Sequence, residues 1–528
     1  MTLPQDASTS LVEQLLASPG CFPHSSGDIG HIETHISHLL LVGDYVYKIK
    51  KPVDLGFLDF STLERRRVCC EEELRLNRRL APELYLELSE IRGTPLEPRL
   101  DGPGAPIEYA VKMRRFEQRD LLSHTLPDRG ELIALARQLA AFHQRIPAAP
   151  VDSKWGTAAA VLRPMEENFS QIHSLKNPLL ESDRLDKLLN WTENFMTGAR
   201  VLLQERREAG KIRECHGDLH LDNITRFEGR LMPFDGIEFN PALRWIDILS
   251  DLAFLLMDLR YRGLGPAAAL LLNEYLERTG DYAGLPLLPF YLLYRAMVRA
   301  KVGAIRFCQP HIDRDEAEAL LDEYRRHLNL AESVIGHPPA ALVLTHGLSG
   351  SGKSHIGGWL AEQLIAIRLR SDVERKRLFP KAGEEALARR YSASATATTY
   401  AHLLGIARRL LSAGYSVIVD ASFLRRGQRQ PFIDLAGELE TPLLILECRA
   451  DEQLLRERIS RRAMAGDDPS EADLSVLRLQ QSQSEPLSDR ERHFALSIES
   501  ENFPPSGIMA TLLQRLMRQG YTTPTSDL

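Results

Sequence analysis

The stretch Gly347-Leu348-Ser349-Gly350-Ser351-Gly352-Lys353-Ser354 has the spacing G-x-x-x-x-G-K-S, whose chemistry is the holding of phosphate. Its glycines let backbone N–H groups converge on α/β-phosphates, Lys353 reaches the β/γ oxygens, and the Ser354 hydroxyl is placed to hold Mg²⁺. A second set lies far upstream, in His216-Gly217-Asp218-Leu219-His220-Leu221-Asp222-Asn223 followed by Phe234-Asp235-Gly236. The D-x-x-x-x-N interval from Asp218 to Asn223, with a further carboxylate at Asp235, provides what phosphoryl transfer requires. One Asp accepts the acceptor's hydroxyl proton, while the Asn and the second Asp hold the Mg²⁺ that bridges the phosphates. Two nucleotide sites are therefore expected in one polypeptide.

The elements that must carry these residues are legible around them. Ala341 to Thr345 is an apolar run of strand length, and Ser354 to Ile365 repeats apolar residues at helical intervals. Ser416 to Asp420 is an apolar strand ending in a carboxylate, so Asp420 reads as a Walker-B-like metal partner or as an Asp that simply ends a buried strand. With a further strand at Leu443 to Leu446, β and α elements alternate, which predicts a parallel sheet. Upstream, two β-rich runs flank Gly43-Asp44 between His35 and Lys50, a hairpin that sets Val46, Lys48 and Lys50 on one strand face. Glu71 to Leu80 reads as a charged helix, and Glu108 to Met113 as a strand entering a connection near Arg114-Arg115-Phe116.

Composition admits this and narrows the rest. A chain of 528 residues exceeds what one core organises. Its 44% hydrophobic and 26% charged content is that of a soluble globular protein. A net charge of −7 leaves no global basic field for nucleic acid. The six cysteines show no C-x-x-C spacing, which argues for mostly buried thiols in a reducing compartment. The first residues, MTLPQDASTS, lack the basic and apolar regions of a signal peptide, and no apolar run reaches spanning length, so the cytoplasm is expected.

Residues from about 30 to 330 resemble the aminoglycoside phosphotransferase and choline-kinase group, which shares the protein-kinase-like fold. HGDLHLDN at His216 to Asn223, FDGIEF at Phe234 to Phe239 and YKIKK around Lys48 carry the resemblance. It implies Asp218 as catalytic base, Asn223 and Asp235 as metal ligands, Lys48 as the phosphate-binding lysine and His216 as a brace for the catalytic loop. Glu72 is the expected partner of the lysine, with Glu71 and Glu73 competing, and Lys50 is able to replace Lys48. Asp251 is either the buried anchor of the catalytic loop or a carboxylate at a helix N-terminus. No G-x-G-x-x-G loop precedes Lys48, so the phosphates are covered differently from those in protein kinases. The apolar run Leu55-Gly56-Phe57-Leu58 is expected to pack rather than cover nucleotide.

The last block resembles the small P-loop kinases grouped with polynucleotide kinase, gluconate kinase and zeta-toxin-like phosphotransferases. By that resemblance Asp372, in the D-x-x-R of Asp372 to Arg375, meets an acceptor hydroxyl and Arg375 a neighbouring anion. Arg458, Arg461 and Arg462 fall where such kinases carry lid arginines. Asp372 as a helix N-cap, and the three arginines as a solvated helix face, remain open.

The whole chain is similar to bacterial proteins that fuse an aminoglycoside-phosphotransferase-like domain to an AAA-type P-loop domain. The fold class expected is an α+β protein-kinase-like domain over 1–335, with a β-rich small lobe and a helical large lobe, then an α/β P-loop NTPase domain over 340–528. Gly336-His337-Pro338-Pro339 marks the boundary. The resemblance implies Mg²⁺-ATP as donor at both sites and a small-molecule hydroxyl as acceptor. A nucleotide-sensing P-loop regulator and a polynucleotide-kinase-like end-processing enzyme are the alternatives.

Overall fold

A computed structural model describes residues 5–24, 27–54, 56, 58–310, 312–336, 340–380, 390, 392–465 and 473–521. The chain forms two compact units. The first comprises Met1–Glu131, Ala141–Glu167 and Met196–Asp258; the second comprises Leu132–Ala140, Asn168–Phe195 and Leu259–Leu528. The helices between 259 and 335 thus group with the residues that follow the expected boundary, of which 337–339 lie outside the described residues.

The first unit is built on an antiparallel sheet of β1 (Gly30–Glu33), β2 (Ser37–Val42), β3 (Tyr45–Lys50), β4 (Tyr85–Thr94), β5 (Glu97–Leu100) and β6 (Pro106–Arg114), in the order β1-β2-β3-β6-β4-β5. Gly43 opens the two-residue loop between β2 and β3 with φ 57°, a left-handed value glycine takes without penalty. In β3, Tyr47 and Ile49 pack with Leu11, Val12 and Leu15 of helix Gln5–Ala17. Val46 packs on the opposite face with Cys70 and Leu74 of helix Leu63–Asn77. Period-two alternation therefore aims Lys48 and Lys50 at that second helix. The expected helix at Glu71 to Leu80 starts earlier, where Thr62 caps it by accepting the Arg65 N–H, and ends sooner, at Asn77. Leu55 and Phe57 lie outside the described residues, whereas Leu58 is buried, as is Phe60, whose ring meets Phe239 edge-on.

Short antiparallel pairs hold the residues beyond the connection at Arg114-Arg115-Phe116. β7 (Ile212–Glu214) leads into the HGDLHLDN stretch, β8 (Ile224–Phe227) and β9 (Arg230–Pro233) separate it from Asp235, and β10 (Trp245–Asp247) pairs back on β7.

The second unit contains helices Leu288–Phe307 and Arg314–Ile335 and a wholly parallel sheet. Its strands are β11 (Leu342–His346), β12 (Ile367–Arg370), β13 (Val417–Asp420), β14 (Leu443–Arg449) and β15 (Ala495–Glu499), in the order β12-β13-β11-β14-β15. β11 is buried along its length, as a central parallel strand must be. It delivers the chain into the glycine loop, and helix Lys353–Gln363 follows. All six cysteines are free; Cys70, Cys215 and Cys448 are buried and the other three partly so. Among the described residues no helix is long and apolar enough to cross a membrane.

Candidate functional site

In the first unit, helix Leu63–Asn77 turns Arg66, Cys70, Glu73 and Asn77 inward at helical intervals. Glu73 is wholly buried, and its two carboxylate oxygens accept from Lys48 at 2.8 Å and from Lys50 at 2.7 Å. This corrects the sequence expectation for Glu72. One residue along, Glu72 points about 100° away around the helix and pairs with Arg75 at 2.8 Å and Arg244 at 3.3 Å. The i,i+3 step from Cys70 and the i,i+4 step to Asn77 were the signals that single out Glu73.

Lys48 also donates to Asp235 at 2.5 Å, and Lys50 also donates to Glu238. Burial draws the Lys48 pKa down, but Asp235 and then Glu73 outweigh it and hold the ammonium well above its ordinary range. Burial alone would raise the Glu73 pKa, and the two lysines reverse that, so the carboxylate stays ionised. The alternation of charge is how a buried ion cluster becomes tolerable. Glu238, which sequence reading missed, balances the second lysine; it stands inside the quoted FDGIEF motif.

Asp235 adopts φ 60°, and its N–H donates to the Tyr85 hydroxyl at 3.0 Å. Asn223 donates its side-chain amide to the Asp218 carboxylate at 2.9 Å and to the Asp218 carbonyl at 3.0 Å. His220 Nε2 lies 3.3 Å from the same carboxylate. Beneath this loop His216 bridges its two ends: Nε2 meets the Phe234 carbonyl at 2.9 Å, and Nδ1 accepts the Asp218 N–H at 3.3 Å. Burial lowers its pKa, which suits a neutral ring with one donor and one acceptor nitrogen.

Asp251 is the loop's anchor, the first of its two readings. It accepts the N–H groups of His216 at 3.1 Å and Gly217 at 2.7 Å and meets His143 Nε2 at 3.0 Å. Asp258, which no motif announced, accepts the Leu221 N–H at 2.9 Å.

In the second unit the glycine loop is clamped on three sides. A Cβ at Gly347 would lie 2.5 Å from the Cys448 carbonyl, one at Gly350 2.8 Å from the Leu455 carbonyl, and one at Gly352 2.8 Å from Ser500 Cβ. The positive φ values at these positions, 148°, 84° and 86°, demand glycine independently. Lys353 Nζ donates to the Leu348 carbonyl at 2.6 Å, and burial lowers its pKa.

A cleft of about 350 Å³ is lined by Ser349, Gly350, Gly352, Lys353, Ser354, Asp372, Arg375, Asp420, Arg458 and Arg462 among others. Sequence-predicted residues from four separate segments thus meet at one place. Arg458 donates to the Gly350 carbonyl at 3.1 Å and to the Ser500 hydroxyl at 2.6 Å, so it braces the loop as well as lining the cleft. Arg375 donates to the Arg390 carbonyl at 3.0 Å and the Thr396 hydroxyl at 3.2 Å. Arg461 is exposed and outside the lining. Arg370, Arg425 and Gln480 also line it; Gln480 accepts the Ser349 N–H at 2.8 Å and belongs to no motif.

Both sites fit a hard divalent cation. Asp420 Oδ2 is buried without a hydrogen-bond partner, and Ser354 lines the same cleft; a carboxylate oxygen with a hydroxyl is a suitable donor set. In the first unit the Asp235 carboxylate and the Asn223 amide oxygen are oxygen donors of the same kind.

The chain thus has two parts: an α+β unit built on an antiparallel sheet, and a unit whose glycine loop of P-loop spacing follows the central strand of a parallel sheet. Residues 342–487 match the family described as AAA domain. The chain is 33% identical over 448 residues to "Uncharacterized protein Rv2004c" of Mycobacterium tuberculosis (strain ATCC 25618 / H37Rv), covering 83% of this chain and 86% of that protein. "Uncharacterized protein Mb2027c" of Mycobacterium bovis is similar to the same extent. The chain belongs to the family of these mycobacterial proteins. Among solved structures, amicoumacin kinase hAmiN is 13% identical with a TM-score of 0.40, covering 62% of this chain and 96% of that one. A choline/ethanolamine kinase family protein from Mesorhizobium loti is 14% identical at 0.38, covering 61% and 99%. The Mycobacterium tuberculosis APS kinase is 19% identical at 0.26, covering 34% and 99%.

Proposed function

We propose that the protein is an ATP-dependent phosphotransferase with two sites, each sending the γ-phosphoryl group of Mg²⁺-ATP to a hydroxyl on a small molecule. The observation that carries this reading is the convergence of Lys48 on Glu73 and Asp235, with Asp218 and Asn223 joined beside it. That array is the one phosphoryl transfer needs: a lysine held for phosphate, oxygen ligands for metal and a base.

Mg²⁺, when bound, would neutralise charge on the transferring group. In the first unit Lys48 holds the α/β-phosphates, Asn223 and Asp235 hold the metal, and Asp218 takes the hydroxyl proton as the acceptor oxygen attacks phosphorus. The bond to the β–γ bridging oxygen breaks, and ADP leaves. In the second unit Lys353 and the loop amides hold phosphate, Ser354 and Asp420 hold metal, and Asp372 orients the acceptor. Arg375, Arg458 and Arg462 offset the charge that develops. A chain with net charge −7 disfavours nucleic acid as acceptor.

The test is incubation with γ-labelled ATP, Mg²⁺ and a metabolite extract, in parallel with Asp218→Ala and Lys353→Ala. Two labelled products, each lost with one variant only, are expected. Free phosphate as sole product, dependent on Lys353 alone, would sink the two-transferase reading.

A further inference from the structure

Within the second unit, helix Gly265–Thr279 lies against β12, the outer strand of the parallel sheet. An outer strand presents unpaired N–H and C=O groups, and a single side chain of this helix meets them. Asn273, buried, donates to the Ala366 carbonyl at 2.9 Å and accepts the Arg368 N–H at 2.7 Å. One turn on, Glu277 reaches the same strand with a side chain only 8% exposed. One of its oxygens accepts from Arg368 at 2.5 and 3.1 Å, and the other accepts from Arg370 at 3.1 Å.

The two arginines are two residues apart on a strand and so share one face. Both lead to the nucleotide cleft. Arg368 donates to the Ser354 carbonyl at 3.1 Å. Arg370 lines the cleft, stands opposite Asp420 in the β12–β13 register, and places Nε 3.8 Å from the otherwise orphaned Asp420 Oδ2. The Glu277 carboxylate therefore sits at the far end of two arginines, one reaching the Ser354 backbone carbonyl and the other approaching the expected metal ligand Asp420.

We propose that Glu277 is a positioning residue of the P-loop site: by holding Arg370 it keeps that guanidinium from closing onto Asp420, and so keeps Asp420 available to a metal–nucleotide complex. The proposal rests on the nucleotide reading of this site. Arg370 stands between two carboxylates, and the geometry gives Glu277 the hydrogen bond and Asp420 the longer contact. When the Glu277 charge is removed, the balance tips and the arginine pairs with Asp420, competing with the cation for the same oxygen. Because Glu277 belongs to a helix preceding residue 335, the metal affinity of the P-loop site becomes sensitive to how that helix is seated.

The experiment measures binding of a fluorescent ATP analogue to the full chain in EDTA and in Mg²⁺, in an Asp235→Asn background that disables the other metal site. The ratio of the two affinities is the Mg²⁺ enhancement. Glu277→Gln is expected to reduce that enhancement roughly 5- to 10-fold, a coupling usual for residues in one ion network, with binding in EDTA changed less than about twofold. Adding Arg370→Gln should restore the enhancement to that of Arg370→Gln alone, because the competing guanidinium is gone. A merely structural Glu277 would weaken binding equally in both media and would not be rescued; either result overturns the proposal. Arg370→Gln by itself carries the test should Glu277→Gln fail to fold, since its enhancement must equal or exceed that of the parent, and a decrease refutes the mechanism. An Mg²⁺ enhancement of binding that survives Lys353→Ala would instead overturn the nucleotide reading underneath.

Discussion

Asn77 joins two segments that must agree for the first site to exist: its side-chain oxygen accepts the Gly236 N–H at 2.7 Å while its amide donates to the Glu73 carbonyl at 2.9 Å. The helix that carries Glu73 and the loop that carries Asp235 are thereby fixed to each other through one buried residue. Asn77→Ala leaves a buried N–H without its acceptor, at a cost of about 1–3 kcal/mol. A matched fall in denaturation midpoint and in Asp218-dependent phosphoryl transfer is expected.

Replacing the two neighbouring glutamates separates their roles. Glu73→Gln breaks a buried ion cluster, and a loss of about 3–5 kcal/mol is expected on urea unfolding, with the Asp218-dependent activity gone. Glu72→Gln, at a half-exposed position, should stay within about 0.5 kcal/mol of the parent and keep its activity. Equal effects would refute the assignment of Glu73 as partner of Lys48.

Removing the base gives the cleanest functional division. Asp218→Ala is expected to slow transfer at the first site by roughly 10²–10⁴, leaving Lys353-dependent activity unchanged. Measured rates on the two acceptors with each variant decide the matter.

Acid should reach the catalytic loop through Asp251. Burial raises its pKa, but the bond to His143 and the amides it accepts outweigh this, and the net value falls from 3.8 to about 2. A carboxylate depressed in the folded state contributes stability that is fully present above its unfolded pKa and is lost as pH falls toward the folded one. The contribution is roughly 2 kcal/mol, lost between about pH 4 and pH 2. In urea titrations across that interval, Asp251→Asn is expected to show a shallower dependence on pH than the parent. An unchanged slope would show that the loop is anchored otherwise.

Gly217 tests the backbone of the same loop. It holds φ 87°, and a Cβ there would approach the Leu243 carbonyl to 2.8 Å. Gly217→Ala should cost about 1–3 kcal/mol and impair transfer at the first site, as followed by thermal melting and by rate.

Much of this was legible in the chain because phosphate chemistry imposes fixed local spacing. The residues within the glycine loop, and those from Asp218 to Asn223, lie close together in the chain, so the sequence places each set without knowing the fold. The face of β3 was equally readable, since alternation has a period of two. What failed to show was anything whose partner is remote. The choice among Glu71, Glu72 and Glu73 depends on a helix phase set by a cap at Thr62, nine residues before the first of them. Glu238, Asp258 and Gln480 acquire their roles only when distant strands and helices meet, and Asn273 and Glu277 sit in a helix whose composition announces only burial.

The short contact between Lys48 and Asp235 has a further meaning for how the first site chooses its cargo. A divalent ion approaching alone finds Asp235 already matched by an ammonium, and a phosphate chain approaching alone finds Lys48 already matched by a carboxylate. Each would have to displace the other's counter-charge. On the proposed function, a preformed metal–nucleotide complex would offer a cation to Asp235 and an anion to Lys48 in the same encounter, so the pair would act as a coincidence detector, admitting the two components together in preference to either one.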